Sequence, residues 1–219
     1  MTRAIVVTGT DTGIGKTVAA AALVGLLDAD YWKPVQAGLS GETDRQTVMR
    51  LTGVGPERAH SEAYRLEMPA SPHIAAAAQG ITIDPARLAA PLTQRPLVIE
   101  GAGGLMVPLS PDLLQIDTFS SWGFPLVLCA STKLGTINHT LLSVEALHRR
   151  SMTLAGILFI GEPAPEPEAT VGRISGAPRL GRLPILPDLD ASTLKETARH
   201  AIDIGPIVRA LRGTSGAAA

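Results

Sequence analysis

The sequence predicts an α/β fold: one parallel sheet with helices on both faces, in a single domain. Three observations carry that expectation. Short apolar runs alternate with longer stretches of helical periodicity, as in sheets covered on both sides. The first apolar run leads through a glycine-rich turn straight into a helix-forming run. The chain has 219 residues, 45% of them hydrophobic, which is enough for one sizeable core.

The elements follow in order. Ile5 to Thr8 reads as a buried strand, and the helical pattern 15–28 comes after it. A short strand is expected at Tyr31-Trp32-Lys33, then a helix over 44–53 and another over 84–94. Pro96 to Glu100, Pro125 to Ala130 and Leu154 to Ile160 read as further buried strands. Helices are expected over 136–149 and 192–211. The proline-rich segment 161–178 is expected to be an irregular loop. The Gly/Ser/Ala-rich stretch from Gly213 to Ala219 reads as a flexible tail, which leaves 1–212 as one domain. Sheets of this kind take ligands beyond the carboxyl ends of their strands, so chemistry is expected there.

Composition narrows the function. The net charge is −1 and the arginines are scattered, which argues against a nucleic-acid partner. No stretch approaches the ~20 apolar residues of a membrane span. The opening apolar run is too short for a secretion signal and leads into Gly-Thr-Asp. The expectation is a soluble, cytoplasmic protein without a membrane partner. The single cysteine, Cys129, sits in an apolar run, so it is expected to be buried and has no internal disulfide partner. The five histidines show no metal-ligand spacing, and no Gly-x-Ser-x-Gly motif is present.

The turn after the first strand is Gly9-Thr10-Asp11-Thr12-Gly13-Ile14-Gly15-Lys16-Thr17. Strand, glycine-rich turn, Lys-Thr and helix make a phosphate cradle, so the predicted fold is of the P-loop NTPase kind. Glycines let backbone N–H groups turn inward, and those donors with the helix N-terminus hold phosphate oxygens. Lys16 is placed to reach the β- and γ-phosphates, and the Thr17 hydroxyl to ligate Mg2+. The strict pattern puts a glycine where this chain has Thr10; here the glycine comes one position earlier, at Gly9.

Other candidates are weaker alone. Glu100 ends an apolar run before Gly101-Ala102-Gly103-Gly104, like the carboxylate that holds Mg2+ in phosphate-loop enzymes. Its plain alternative is an acid at a strand end. Asp44 lies at a helix start, where an acid also simply favours the dipole. Together with Thr17 and Glu100 it completes an oxygen-rich Mg2+ shell. Lys33 ends a strand before Pro34; most lone lysines are merely solvated, and the functional alternative is a cation on a transferring phosphoryl group. Lys133 to His139 opens a helix whose free N–H groups suit a carboxylate, and Pro69 to Ile74 is a further cleft candidate.

The combination of Gly9 to Thr17, Lys33-Pro-Val-Gln-Ala-Gly38, Ser71-Pro-His-Ile74, Glu100 to Gly104, Lys133-Leu-Gly-Thr-Ile-Asn-His139 and Leu180-Gly-Arg-Leu-Pro184 resembles the dethiobiotin synthetase family from about residue 4 to 187. That family shows the same displaced glycine. The resemblance implies an enzyme that closes a ring with ATP in biotin synthesis. One amine of 7,8-diaminononanoate captures CO2, the carbamate oxygen attacks the γ-phosphate, and the second amine displaces phosphate to give dethiobiotin. It implies catalytic roles for Lys33, Lys16 and Thr12, and a metal shell of Thr17, Asp44 and Glu100. It assigns the nucleotide to Gly13, Ile14, Gly15, Lys16, Thr17 and Val18, with Asp44, Glu100, Gly101, Ala102 and Gly103. The base falls to Ile160, Gly161, Pro184, Ile185 and Leu186. It assigns the substrate to Thr12, Lys33 and Ala37 and to the helix start Gly135, Thr136, Ile137 and Asn138 of the other subunit, which implies a homodimer. There are two departures. Some members carry Ser where this chain has Ala37. Many have Asn-Asp near Ile160-Gly161, where the Asn reads adenine, so weaker discrimination among nucleotides is expected here.

Two rivals share these features. A regulatory ATPase switch of the partitioning type would carry a second lysine where this chain has Asp11. A small-molecule kinase would leave a phosphorylated product instead of a cyclic urea. An amidotransferase needs a glutaminase domain, for which the chain is too short.

Overall fold

Strand β1 (Ala4–Gly9) is buried at every position, because helices cover both faces of the sheet it centres. The structure is a computed structural model and describes residues 2–213. After β1 the chain forms α1 (Lys16–Leu27), β2 (Asp30–Trp32), β3 (Val35–Ala37), α2 (Asp44–Thr52), β4 (Ala59–His60), β5 (Tyr64–Leu66) and α3 (Pro72–Ala78). Then come β6 (Leu97–Gly104), β7 (Pro108–Ser110), β8 (Leu113–Leu114), α4 (Gln115–Trp122), β9 (Leu126–Ser131) and α5 (Thr136–His148). The chain closes with β10 (Leu154–Ile160), α6 (Pro165–Ser175), β11 (Arg179–Leu183), α7 (Ala191–Ala201) and α8 (Gly205–Gly213).

The main sheet has seven strands in the order β11-β10-β9-β1-β6-β2-β4, and every pair in it is parallel. Alternate residues of β1 feed two cores. Ile5 and Val7 pack with α1, α2, α7 and α8 on one face. Ala4 and Val6 pack with Ile116 and Phe119 of α4 and Leu147 of α5 on the other. Cys129 lies in the first of these cores, fully buried, and burial pushes its thiol up to about 12. Because β1 has β6 on one side and β9 on the other, the chain order switches direction beside it, and the crevice opens beyond its carboxyl end. Two small sheets pair β3 with β5 and β7 with β8, and Gln36 and Ala37 of β3 line that crevice.

The long apolar runs form the strands expected of them, with bounds shifted by a residue or two; β2 is Asp30–Trp32, so Lys33 lies just past it. The other differences have physical reasons. Over 84–94 only a 3-10 turn forms, Pro85–Leu88, and Pro91 and Pro96 bar a longer helix. The segment 161–178, expected to be a loop, contains α6: Pro165 and Pro167 fall in its first turn, where no intrahelical N–H bond is required, and Val171 turns into the core. The helix expected over 192–211 is two helices. Ile202 leaves the spiral to pair with Gly181, and α8 starts afresh at Gly205-Pro206. The proposed tail begins at Gly213, which is the last residue of α8; the remainder lies outside the described residues. Glu100 does not end its strand either. β6 runs on to Gly104, and its pairing with β1 slips register between Val7 and Gly9.

Candidate active site

The phosphate loop spans the gap between β1 and α1. The Thr10 N–H still donates to the Cys129 carbonyl at 3.0 Å, so Thr10 remains part of the strand edge. The close approach falls one residue earlier. A Cβ on Gly9 would lie 2.7 Å from Ile14 Cδ1 and 3.1 Å from Lys16 Cδ, which is why the glycine sits there. Gly15 has a φ of 97° and precedes α1 with no side-chain cap, so the helix N-terminus is open to an anion. Lys16 folds back over the loop, its ammonium donating to the Asp11 carbonyl at 2.7 Å. Burial holds that ammonium below its ordinary pKa, and the charges of Glu100 and Asp44 offset this only in part.

Beside the loop, three oxygen-bearing side chains converge. Thr17 Oγ1 lies 2.8 Å from Asp44 Oδ1 and 2.9 Å from Glu100 Oε1. The Lys33 ammonium lies 2.5 Å from Asp44 Oδ2 and 3.0 Å from Glu100 Oε1. Sheet register explains the arrangement. Trp32 pairs with Ile99, which brings Lys33, the next residue, beside Glu100, while Glu100 pairs with Val7 on its other side. The second oxygen of Glu100 accepts from the Tyr31 hydroxyl at 2.8 Å. Glu100 is 1% exposed and Lys33 5%, so neither charge is solvated. Burial alone would lower the Lys33 pKa, but the adjoining carboxylates raise it above its ordinary value. Burial likewise opposes the charge on Asp44, and Lys33 outweighs it, holding the carboxyl below the usual range.

Asp44 is the residue for which sequence left two readings open. Thr43, not Asp44, caps α2, in a reciprocal capping box with Gln46. Asp44 is therefore free of capping duty and turns to Thr17 and Lys33. The Gln36 Oε1 accepts from the Asp44 N–H at 3.2 Å, tying the helix start to β3. The donor set suits Mg2+, which takes one or two carboxylates with a hydroxyl and leaves the rest of its shell to phosphate and water. Among the described residues no group of three or more His, Cys, Asp or Glu is placed to hold a metal ion; the convergence here is of two carboxylates and one hydroxyl.

These residues border a cleft of about 650 Å3. Thr12, Gly13, Gly15, Lys16, Thr17 and Val18 form its floor. Lys33, Ala37, Asp44 and Glu100 form one wall, and Ala102 and Gly103 another. The segment Pro69 to Pro72, a candidate from sequence, also lines it. Gln36 and Val107 also line the cleft; sequence singled out neither, although Gln36 is three residues past Lys33.

Other expected residues lie elsewhere. Ile14 and Gly101 do not line the cleft; Ile14 packs on Gly9, and a Cβ on Gly101 would strike Phe119. Ile160 is buried and rests on the phosphate loop, its Cγ2 3.1 Å from where a Cβ on Gly15 would be. Gly161 adjoins Thr132, and its carbonyl accepts from Arg182 at 2.7 Å. Of Pro184, Ile185 and Leu186, Ile185 is exposed and Leu186 packs against the core. None of these five borders the cleft. Gly135, Thr136, Ile137 and Asn138 start α5 outside the cleft of their own chain, and α5 also has no side-chain cap.

A parallel sheet with a glycine loop at the end of its central strand, a Lys-Thr helix start and two carboxylates on the hydroxyl defines a phosphate-loop nucleotide-binding protein. Solved structures agree at the level of fold. The chain superposes on a ParA family ATPase from Chlorobium tepidum with a TM-score of 0.56 at 12% identity, covering 91% of this chain and 98% of that one. It superposes on pNOB8 ParA bound to nonspecific DNA with a TM-score of 0.58 at 10% identity, covering 98% and 100%. The model of a family described as an AAA domain matches residues 3–193. Sequence relatives are far more similar. An ATP-dependent dethiobiotin synthetase BioD of Rhodopseudomonas palustris (strain BisA53) is 58% identical over 94% of this chain and 96% of its own. One from Rhizorhabdus wittichii is 60% identical over 89% and 93%. The chain belongs to the ATP-dependent dethiobiotin synthetase family.

Proposed function

We propose that this chain converts 7,8-diaminononanoate, CO2 and ATP into dethiobiotin, ADP and phosphate, with Mg2+, in biotin synthesis. The observation that carries this reading is the convergence of Lys33, Thr17, Asp44 and Glu100 at the mouth of the phosphate loop, in a chain of this family. Phosphoryl transfer to a carbamate needs positioning and charge neutralisation more than covalent help. The backbone from Gly13 to Val18 holds the triphosphate, and Lys16 and Lys33 supply cations to its terminal group. Thr17, Asp44 and Glu100 would hold Mg2+, which neutralises charge on the β- and γ-phosphates when bound. Thr12 stands where the loop meets the Gly103 wall, beside the position the carbamate takes. Ala37 offers the substrate only its backbone.

The substrate's chain-end carboxylate goes to the uncapped start of α5, Gly135 to Asn138, of a second copy. Support comes from the position of that helix start outside its own cleft and from exposed Leu134, Met106 and Leu142 nearby. The proposed protein is thus a homodimer with 1–212 as its nucleotide-binding domain, and its place is the cytoplasm. Among the described residues no helix is long and apolar enough to cross a membrane. Ile160, Gly161 and the stretch Pro184 to Leu186 flank the base; an Ile side chain has no group that reads a base edge.

The test is product identity. Incubation with the diamine, bicarbonate, Mg2+ and ATP, followed by mass detection, should give the cyclic urea with free phosphate. A phosphorylated acceptor would make the protein a kinase, and nucleotide hydrolysis without a urea would make it a switch.

A further inference from the structure

Glu100 has two carboxylate oxygens, and the fold uses them differently. Oε1 faces the cleft, where it meets Thr17 and Lys33. Oε2 points back into the core and accepts from the Tyr31 hydroxyl at 2.8 Å. Tyr31 is completely buried and does not line the cleft. Its position follows from the sheet. Tyr31 pairs with Val98 across the β2–β6 ladder, two residues before Glu100, and residues two apart share a face of a strand. Tyr31 and Lys33 are likewise two apart. The phenol therefore reaches Glu100 diagonally from below, while the ammonium reaches it from the cleft side. The ring packs among apolar neighbours of β1, β6, α1 and α2, which keep water off the bond.

We infer that Tyr31 is a positioning residue: its hydroxyl fixes the Glu100 carboxylate so that one oxygen is presented to the divalent cation. The inference rests on the proposed metal role of Glu100. A glutamate side chain has several rotatable bonds, and a carboxylate with both oxygens free must be ordered when the cation arrives. Here the inner oxygen is already held, so the outer one is aimed before binding. Hydrogen-bond partners of this kind orient metal ligands and sustain affinity without touching the metal. The same hydroxyl satisfies a lone pair that would otherwise be stranded in the core.

The test uses the full chain with saturating ADP and Mn2+ as the probe, free Mn2+ being read by electron paramagnetic resonance. Tyr31→Phe keeps the ring and removes only the hydroxyl. It should weaken Mn2+ binding about tenfold or more. Binding of ADP in EDTA should stay within about twofold of wild type, because the phosphate loop is untouched. Half-saturating Mg2+ for turnover should rise in step with the Mn2+ constant. Glu100→Gln is the control that separates the two ideas. It should weaken Mn2+ binding at least as much, and adding Tyr31→Phe to it should cost nothing further. If Glu100→Gln weakens binding and Tyr31→Phe leaves it within about twofold, Tyr31 only fills space and the inference is overturned. If Glu100→Gln has no effect on Mn2+, the ligand role of Glu100 itself falls, and the inference with it.

Discussion

The two ends of the nucleotide site are built differently. At the phosphate end Lys33, Glu100 and Asp44 are partnered within the protein: Lys33 by Asp44 and Glu100, Glu100 by Tyr31 and Thr17, Asp44 by Thr17. These groups come from the middle of β6, from the residue just past β2 and from a capped helix start, so their spacing is set by sheet register. At the end proposed for the base, Ile160 is turned onto the phosphate loop, Ile185 is exposed, and Gly161 and Arg182 bond to each other. On the proposed assignment, the difference teaches that sheet register sets the groups of the transfer chemistry, while the residues assigned to the base carry no comparable network.

The largest effect should come from breaking the phosphate end. Lys33→Ala removes the cation expected to face the transferring group, and kcat should fall about 10²–10³-fold. It also leaves the Glu100 carboxylate buried without its counter-charge, at a cost of about 3–5 kcal/mol, visible as a lower melting temperature. That gap depends on pH. Asp44 is held below its ordinary range and Lys33 above its own, so the pair contributes fully between the ordinary carboxylate and ordinary ammonium values. Its contribution is lost as pH falls through the lowered Asp44 value, and again as pH rises through the raised Lys33 value. Melts of wild type and variant at descending pH should therefore converge in acid. A gap that stays constant would mean that the pair contributes nothing.

A smaller effect tests the frame around that end. Past the point where β2 stops, Gln115 takes the part of a neighbouring strand for β6. Its Oε1 accepts from the Ala102 N–H at 2.7 Å, and its Nε2 donates to the Gly104 carbonyl at 2.9 Å. Gln115→Leu strands two peptide groups at the cleft wall and should cost about 2–4 kcal/mol in urea unfolding, with a rise in KM for ATP. An unchanged midpoint would show that this wall is held by something else.

The smallest effect is expected at the base end. The affinities of ATP, CTP and GTP should lie within about tenfold of one another, a spread of roughly 1.4 kcal/mol. A strong preference for ATP by calorimetry would mean that the base end is as well organised as the phosphate end, and the contrast would collapse.

Sequence made the phosphate end legible for the same reason that it is rigid. β1 and β6 are apolar runs, the loop needs glycine at fixed places, and α2 carries an ordinary start signal. Lys33, Asp44 and Glu100 were each ambiguous alone, because a lysine at a strand end or an acid at a helix start has a plain structural reading. Only the register of β2, β6 and β1 brings them together. Tyr31 was invisible as a functional residue, since a tyrosine in a strand most often fills a core. What failed was local. Prolines 165 and 167 look like helix breakers until the helix is seen to begin at them. The apolar periodicity of 192–211 hides a strand-like contact at Ile202. β3, β4, β5, β7 and β8 are two or three residues long and carry too little pattern to stand out.

The lone thiol in the middle of this sheet has a practical use. Sealed in the core, with its proton held to about pH 12, Cys129 will ignore alkylating reagents while the native state lasts. Its rate of capture by such a reagent therefore times the opening of the central strands, giving an unlabelled, unmutated chain its own stopwatch for unfolding.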